Sequence, residues 1–564
     1  MKKKGFALNA AIMFIAMFIT KGLGAVLKIP LGNILGGEGM GYFTTAYSIF
    51  TPILAFTCSG IPTIVTQVTA RYAAQGKYRE IFRFRRSAIL LGGGIGLAGT
   101  AVIYMISAPF AYYVANSPGS LPAILMIAPA VFSCSVTAVY RGYYEGMSDM
   151  LPTAASQIIE AAVKAGIGVG ASYFVYIRGA EYFDSAEKAL PYAAAAAILG
   201  VTIGEYCGTF YIVRKVRRET KTARRGVKLP KVPFEETAEI MKDIFLRSLP
   251  VAAGAAASNL ISFTDLLTVS NCINLSRSLF PDTFSSVPSL SAALSSAPAD
   301  PGNFLYGSYS GLVLSVYMLT SAAAGLIARC SLPKLVFAVE TDRPDHLERC
   351  VTLMLKGTAL IAVPISLMMA VLSEPILRLL YPIRAAEVAV SVLPLRILSL
   401  GGVISGLGGA IFTLFHAYGD FKTPVKLTLY GGLTKFLLNV ALLTIPTINI
   451  SGAALATVIS NIAITGFAYY SLKKRRALKL PLFSATLPSL LAGTICAACL
   501  SFIYPIVSEK LGSIPGVLLP LGIASFLYLF LLFLFDAREL GEIFRDLWGK
   551  NEKKPCKIPE KVVK

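Results

Sequence analysis

Charged residues and histidine are scarce in this chain. Charged side chains make up 15% of its 564 residues, against roughly 25% in a soluble domain. The sequence therefore lacks the polar residues that would cover the surfaces of several soluble domains. Its two histidines, His346 and His416, are too few for a histidine-based metal site, and its nine cysteines show no disulfide spacing. We expect neither a metal nor a cofactor.

Motifs for nucleotide binding and catalysis are also missing. The chain has no Walker A sequence, so ATP-driven transport is not expected. No loop concentrates acids and histidines, as a membrane-embedded transferase acting on lipid-linked sugars would need. A transporter is therefore a better interpretation than an enzyme.

Apolar residues are abundant. Hydrophobic residues make up 55% of the chain and the mean hydropathy is +0.66. A membrane span needs about 20 apolar residues. The sequence thus predicts an all-α polytopic membrane protein of about 14 transmembrane helices. The predicted spans are 5–27, 42–69, 87–115, 121–140, 153–177, 190–213, 248–274, 308–328, 351–373, 390–416, 425–446, 451–472, 484–507 and 516–535.

Positive charge is distributed unequally between the two sides of the membrane. With the N-terminus inside, 40 of the 52 Lys and Arg residues fall on the cytoplasmic side and 7 on the opposite side. Such a bias predicts that both termini are cytoplasmic. The net charge of +21 is then an orientation signal and does not indicate a nucleic-acid partner. The basic stretch 214–231 is also suited to contact anionic bilayer lipids.

An internal repeat relates the two halves. A polar turn, a proline and a buried lysine recur at Pro152 with Lys164 and at Pro424 with Lys435, six spans apart. An even offset predicts two parallel six-helix lobes, spans 1–6 and 7–12, plus two extra C-terminal helices. The predicted parts are an N-lobe (1–213), a basic cytoplasmic linker (214–247), a C-lobe (248–472), spans 13–14 (473–535) and a cytoplasmic tail (536–564).

Two lysines and one acid lie in the first spans of the two halves. Lys21 and Lys28 are seven residues apart and so project from one face of span 1. Asp265 is the only acid in span 7, at a depth similar to that of Lys21. Because spans 1 and 7 correspond in the repeat, we expect Lys21 and Asp265 to face each other across a central cleft. Lys21, Lys28 and Asp265 are the predicted substrate-binding residues.

Other charges lie within later spans. Glu160 and Lys164 have the spacing of a helical ion pair, and Glu205 of span 6 lies at a depth close to that of Glu160. We expect these three to form a buried network, with either a structural or an ion-coupling role. Lys435 has no acid in its own helix.

An ordered set of segments carries a family resemblance: 20–28, 35–49, 60–62, 141–146, 152–160, 249–250 with Asp265, and 451–457. Together they resemble the stage V sporulation protein B branch of the polysaccharide-biosynthesis exporters. That branch belongs to the multidrug/oligosaccharidyl-lipid/polysaccharide exporter superfamily, which also contains the MurJ lipid II flippases.

The resemblance implies a two-lobed, fourteen-span flippase in the bacterial plasma membrane. It implies that an undecaprenyl-pyrophosphate-linked saccharide, foremost lipid II, crosses from the inner to the outer leaflet by alternating access. The family's cationic cavity position in span 1 matches Lys21, together with Lys28. Coupling to the membrane potential, Na⁺ or H⁺ and contact with cell-wall synthesis proteins are further expectations. MurJ-type flippases also carry arginines in spans 2 and 8, whereas 42–57 and 308–328 contain neither Lys nor Arg.

Two transport alternatives remain open. One is a flippase for a different lipid-linked polysaccharide unit. The other is a multidrug or cation antiporter of the same superfamily, whose members usually have twelve spans and an acid-lined cavity. The two extra spans and the lysine in span 1 favour an anionic substrate.

Overall fold

The structure is a computed structural model that describes residues 6–183, 185–223, 234–287, 290–291, 300–341, 344–476 and 480–548. Within these ranges every regular element is helical, so the predicted all-α membrane protein is confirmed. Part of the predicted linker (224–233), part of the segment between predicted spans 7 and 8 (288–289 and 292–299) and the tail beyond 548 lie outside the described residues.

Seventeen helices follow one another along the described chain. They are α1 (Phe6–Cys58), α2 (Gly60–Ala74), α3 (Tyr78–Pro109), α4 (Leu121–Gly146), α5 (Leu151–Tyr182), α6 (Ala186–Ala223), α7 (Phe234–Leu279), α8 (Pro281–Ser286), α9 (Pro301–Gly307), α10 (Leu314–Glu340), α11 (Pro344–Val371), α12 (Ser373–Leu380), α13 (Ala385–Ala417), α14 (Lys422–Leu443), α15 (Ser451–Arg476), α16 (Leu482–Leu511) and α17 (Ser513–Trp548). Short π-helical segments, Phe110–Val114 and Ser308–Val313, extend α3 and join α9 to α10.

The predicted spans coincide with these helices. In the described chain, ten helical segments are long and apolar enough to cross a membrane, and the first of them, Ile15–Ala74, contains two predicted spans. Predicted spans 7, 8 and 11 lie in α7, in the π-helical segment with α10, and in α14. The fourteen predicted spans are therefore compatible with the observed helices.

Spans 1 and 2 are joined by a single break instead of the predicted loop. Gly36 has φ 63° and ψ −166° in the middle of α1, and helix continues on both sides of it. Glycine adopts positive φ without the steric penalty of a Cβ atom. One residue is thus enough to divide α1 into two helical segments, and we call this kink the corner.

Close contacts group the helices into two compact units. The first contains Met1–Met318, Leu377–Leu398 and Lys422–Ile464, and the second contains Leu319–Ile376, Ser399–Phe421 and Thr465–Lys564. In the second unit α11, α16 and α17 share an apolar core that includes Cys496. The lobe boundaries inferred from the repeat stay a prediction.

Within the first unit, glycines bring α1 against α9 and the π-helical segment. A Cβ at Gly307 would overlap the carbonyl oxygen of Gly37 and the amide of Gly41. Two polar contacts follow along the same interface: Thr44 with Ser310 at 2.9 Å, and Ser48 with the Tyr306 hydroxyl at 3.0 Å. Backbones approach this closely only where side chains are absent.

Substitution of Gly307 by alanine tests this packing. The new methyl group would meet backbone atoms, which cannot rotate away, so we expect a loss of about 1–3 kcal/mol of stability. Thermal melting in detergent would show it as a lower Tm. Gly166→Ala is the matched control, because an added Cβ there has no neighbour within 4 Å. Equal melting of the two variants would contradict the proposed contact.

Candidate functional site

Lys21 and Lys28 lie on the first helical segment of α1, before the break at Gly36. Lys21 is exposed and Lys28 is half-buried. Neither has a hydrogen-bond or ion-pair partner in the part of the chain that the structure describes. They are seven residues apart, about 10 Å along the helix axis, so both side chains project from the same side. Two uncompensated cations thus share one side of a membrane-spanning helix.

The surroundings of Lys21 are open and apolar. Phe18, one turn before Lys21, is 74% exposed, and Val26 is also exposed. Among the described residues, none lies within 4 Å of where a Cβ would stand on Gly22 or Gly24. A cation next to free space and apolar side chains suits a ligand that has both an anionic group and an apolar part.

A second set of charges forms a network between α4, α5 and α6. The ammonium group of Lys164 contacts Glu160 at 2.5 Å and also pairs with Glu205. These are the three residues that the sequence predicted to meet. The structure adds Arg141, which donates to the other oxygen of Glu160 at 2.9 Å and to Ser156 at 3.1 Å. Two acids and two cations therefore neutralise one another.

A third set lies between α7 and α14. Lys435 Nζ donates to Asp265 Oδ2 at 2.7 Å, and both residues are about 95% buried. Asn439, one turn beyond Lys435, donates to Asp265 Oδ1 at 3.1 Å and to Thr268 at 2.8 Å. Both carboxylate oxygens of Asp265 are therefore occupied.

The expected approach of Lys21 to Asp265 is not observed. Asp265 is paired with Lys435 instead. The Lys435 ammonium group and the Asn439 amide satisfy both oxygens of this buried carboxylate, so it needs no second cation. A similar predicted depth in two spans does not identify which side chains are lateral neighbours. The available signal was that Asp265 and Lys435 each lacked a partner in their own helix.

Sequence reasoning also missed the corner at Gly36. Arg384 and Glu387, at the start of α13, reach the two helix ends that the break creates. Glu38, two residues after the break, is buried and accepts a hydrogen bond from the Tyr42 hydroxyl at 2.7 Å. The nearby cluster of glycines was the signal that could have indicated a close corner.

Comparisons with known proteins agree with this architecture. The family model described as polysaccharide biosynthesis protein matches residues 6–327, more than half of the chain, and the model for lipid II flippase MurJ matches 288–520. The chain belongs to the polysaccharide biosynthesis protein family. The second family model and the relatives of the chain agree with a membrane transporter of the flippase type.

Individual relatives are distant. Stage V sporulation protein B of Bacillus subtilis (strain 168) is 22% identical over 475 residues, which cover 82% of this chain and 83% of the relative. A solved lipid II flippase MurJ in an inward closed conformation gives a TM-score of 0.67 at 17% identity, with 95% and 99% of the two chains covered. An inward-facing multidrug resistance transporter gives 0.61 at 14% identity, with 84% and 99% covered. At these identities the solved structures show the shared fold.

The buried pair Asp265–Lys435 is open to a stability test. Lys435→Met leaves Asp265 without its cation, and removing one partner of a buried pair costs about 3–5 kcal/mol. We expect a clear drop in Tm in detergent. The double variant Asp265→Asn/Lys435→Met removes both charges and should recover most of the loss. Lys21→Met, at an exposed position, should melt like the unaltered protein. A double variant as unstable as Lys435→Met would contradict the pairing.

Proposed function

We propose that this chain moves an undecaprenyl-pyrophosphate-linked saccharide, foremost lipid II, from the inner to the outer leaflet by alternating access. The observation that carries the proposal is the contrast between its lysines. Lys164 and Lys435 are neutralised by acids, whereas Lys21 and Lys28 share one face of α1 and have no acidic partner among the described residues. Since a charge inside a membrane is costly, an anionic ligand is the natural partner of the two free lysines.

The chemistry of a lipid pyrophosphate fits this face of α1. Ammonium groups bind phosphate oxygens through charge-assisted hydrogen bonds. The exposed apolar side chains beside Lys21 suit the isoprenoid part, which stays in the bilayer while the head group crosses. The inside-negative membrane potential also favours outward movement of an anion, by about 2.3 kcal/mol per charge for each 100 mV. Coupling to Na⁺ or H⁺ remains an alternative within the proposal.

A cation antiporter is the second candidate, and the contacts of the acids argue against it. An exporter of cationic drugs needs carboxylates that are free to bind them. Here Glu160, Glu205 and Asp265 are engaged with lysine or arginine side chains. The charge that remains available on the membrane-spanning helix α1 is positive.

Lys21→Ala should abolish transport while leaving folding intact. The lysine is exposed and has no partner in the described ranges of the chain, so its loss removes the proposed phosphate contact without leaving a buried charge. The measurement is a leaflet-specific assay of fluorescent lipid II in vesicles that contain only this protein. Lys510→Ala is the control, because Lys510 is exposed at the predicted outer end of α16. Wild-type transport by Lys21→Ala would refute the phosphate-binding role.

The same vesicles can separate the candidate substrates. Lipid II should be compared with an undecaprenyl pyrophosphate that carries another saccharide and with a cationic dye. Transport of the second lipid alone would assign the chain to another polysaccharide unit, and transport of the dye alone would favour the antiporter.

A further inference from the structure

The break in α1 is capped from another helix. The guanidinium of Arg384 donates through Nε and Nη2 to the carbonyl of Asn33 at 3.0 and 2.8 Å, and through Nη2 to that of Ile34 at 2.8 Å. Glu387 Oε1 accepts the amide of Gly37 at 3.0 Å. A cation therefore meets the carbonyl end of span 1, and an anion meets the amide end of span 2, as the partial charges of helix termini require.

The same corner is packed for close approach. Asn33 Nδ2 donates to the carbonyl of Leu380 at 2.7 Å, and the ring of Tyr381 lies where a side chain at Gly32 would stand. A Cβ at Gly36 would come within 2.7 Å of both Arg384 Nη1 and Glu387 Oε1. The corner between the first two spans is thus fitted closely to the start of α13.

The hydrogen bonds between this corner and the start of α13 can be replaced if the two separate. They are directional bonds to backbone groups of α1, and water can take their place once the surfaces part. Arg384 and Glu387 are one helical turn apart, with Nη1 and Oε1 3.7 Å from each other. When α1 leaves, the two side chains can neutralise each other on α13. The arrangement therefore has two states in which neither charge is left alone.

We propose that Arg384 and Glu387 form a latch that holds the outer end of span 1 and positions Lys28 in the closed state of the outer side. Lys28 lies five residues before Asn33 on the same helical segment of α1, with Pro30 between them, so holding Asn33 in place limits where Lys28 can stand. Delivery of a pyrophosphate lipid to the outer leaflet requires the latch to open. This inference rests on the proposed flippase function and adds two positioning residues that do not touch the ligand.

The latch can be tested without any transported lipid. Lys28→Cys, in a chain whose native cysteines are replaced, is labelled by a membrane-impermeant maleimide applied from outside. We expect Arg384→Ala to raise the labelling rate about tenfold, since losing hydrogen bonds to one charged group shifts a two-state equilibrium by at least that order. Arg384→Lys keeps the charge but not the forked donors, and should give a smaller increase.

Arg178→Ala is the matched control. Arg178 forms the same type of pair with Glu181, three residues on and at the predicted outer end of α5, but it is 69% exposed and makes no hydrogen bond to α1. Its loss should leave the labelling rate unchanged. If folded Arg384→Ala, or Arg384→Lys where the alanine variant does not fold, is labelled no faster than the control, the latch is refuted. That result would leave the lipid assay of Lys21→Ala unaffected, so the two proposals fail separately.

Discussion

Neutralisation of charge inside an apolar solvent is the constraint on which this structure depends. Lys164 and Lys435 lie three turns into their helices, where an unpaired ammonium group would oppose insertion. Each therefore fixes the position of a neighbouring helix: Lys164 joins α5 to α6 through Glu205, and Lys435 joins α14 to α7 through Asp265. Apolar helix surfaces are chemically alike and do not distinguish one neighbour from another, so these ion pairs specify which helices are adjacent.

Lys21 and Lys28 differ from these two lysines. Lys164 and Lys435 are paired with acids, whereas neither lysine of α1 has a partner among the described residues. In the proposed flippase, this unpaired positive charge marks the side of α1 that a phosphate would contact. Through its glycines, α1 contacts α9 by backbone atoms. Few side chains lie between the two helices, so a movement of α1 is transmitted to α9 and is not taken up by side-chain rearrangement.

The sequence predicted those features that depend on local spacing. Apolar runs located the spans, and the four-residue interval between Glu160 and Lys164 predicted their ion pair. The repeat identified Lys435 as the counterpart of Lys164. It did not identify Asp265 as its partner, because lateral contacts between helices 170 residues apart leave no periodic signal. The corner at Gly36 was missed for the same reason: Arg384 lies 351 residues from Asn33.

The single-residue corner has a mechanical meaning. A loop between two spans would act as slack, and one helix could tilt while the other stayed still. With only Gly36 between them, the two helical segments of α1 are coupled directly. A displacement of the segment that carries Lys21 and Lys28 must therefore move the segment that follows Gly36. Inserted residues at this point would weaken the coupling, so the corner should tolerate changes of sequence far better than changes of length.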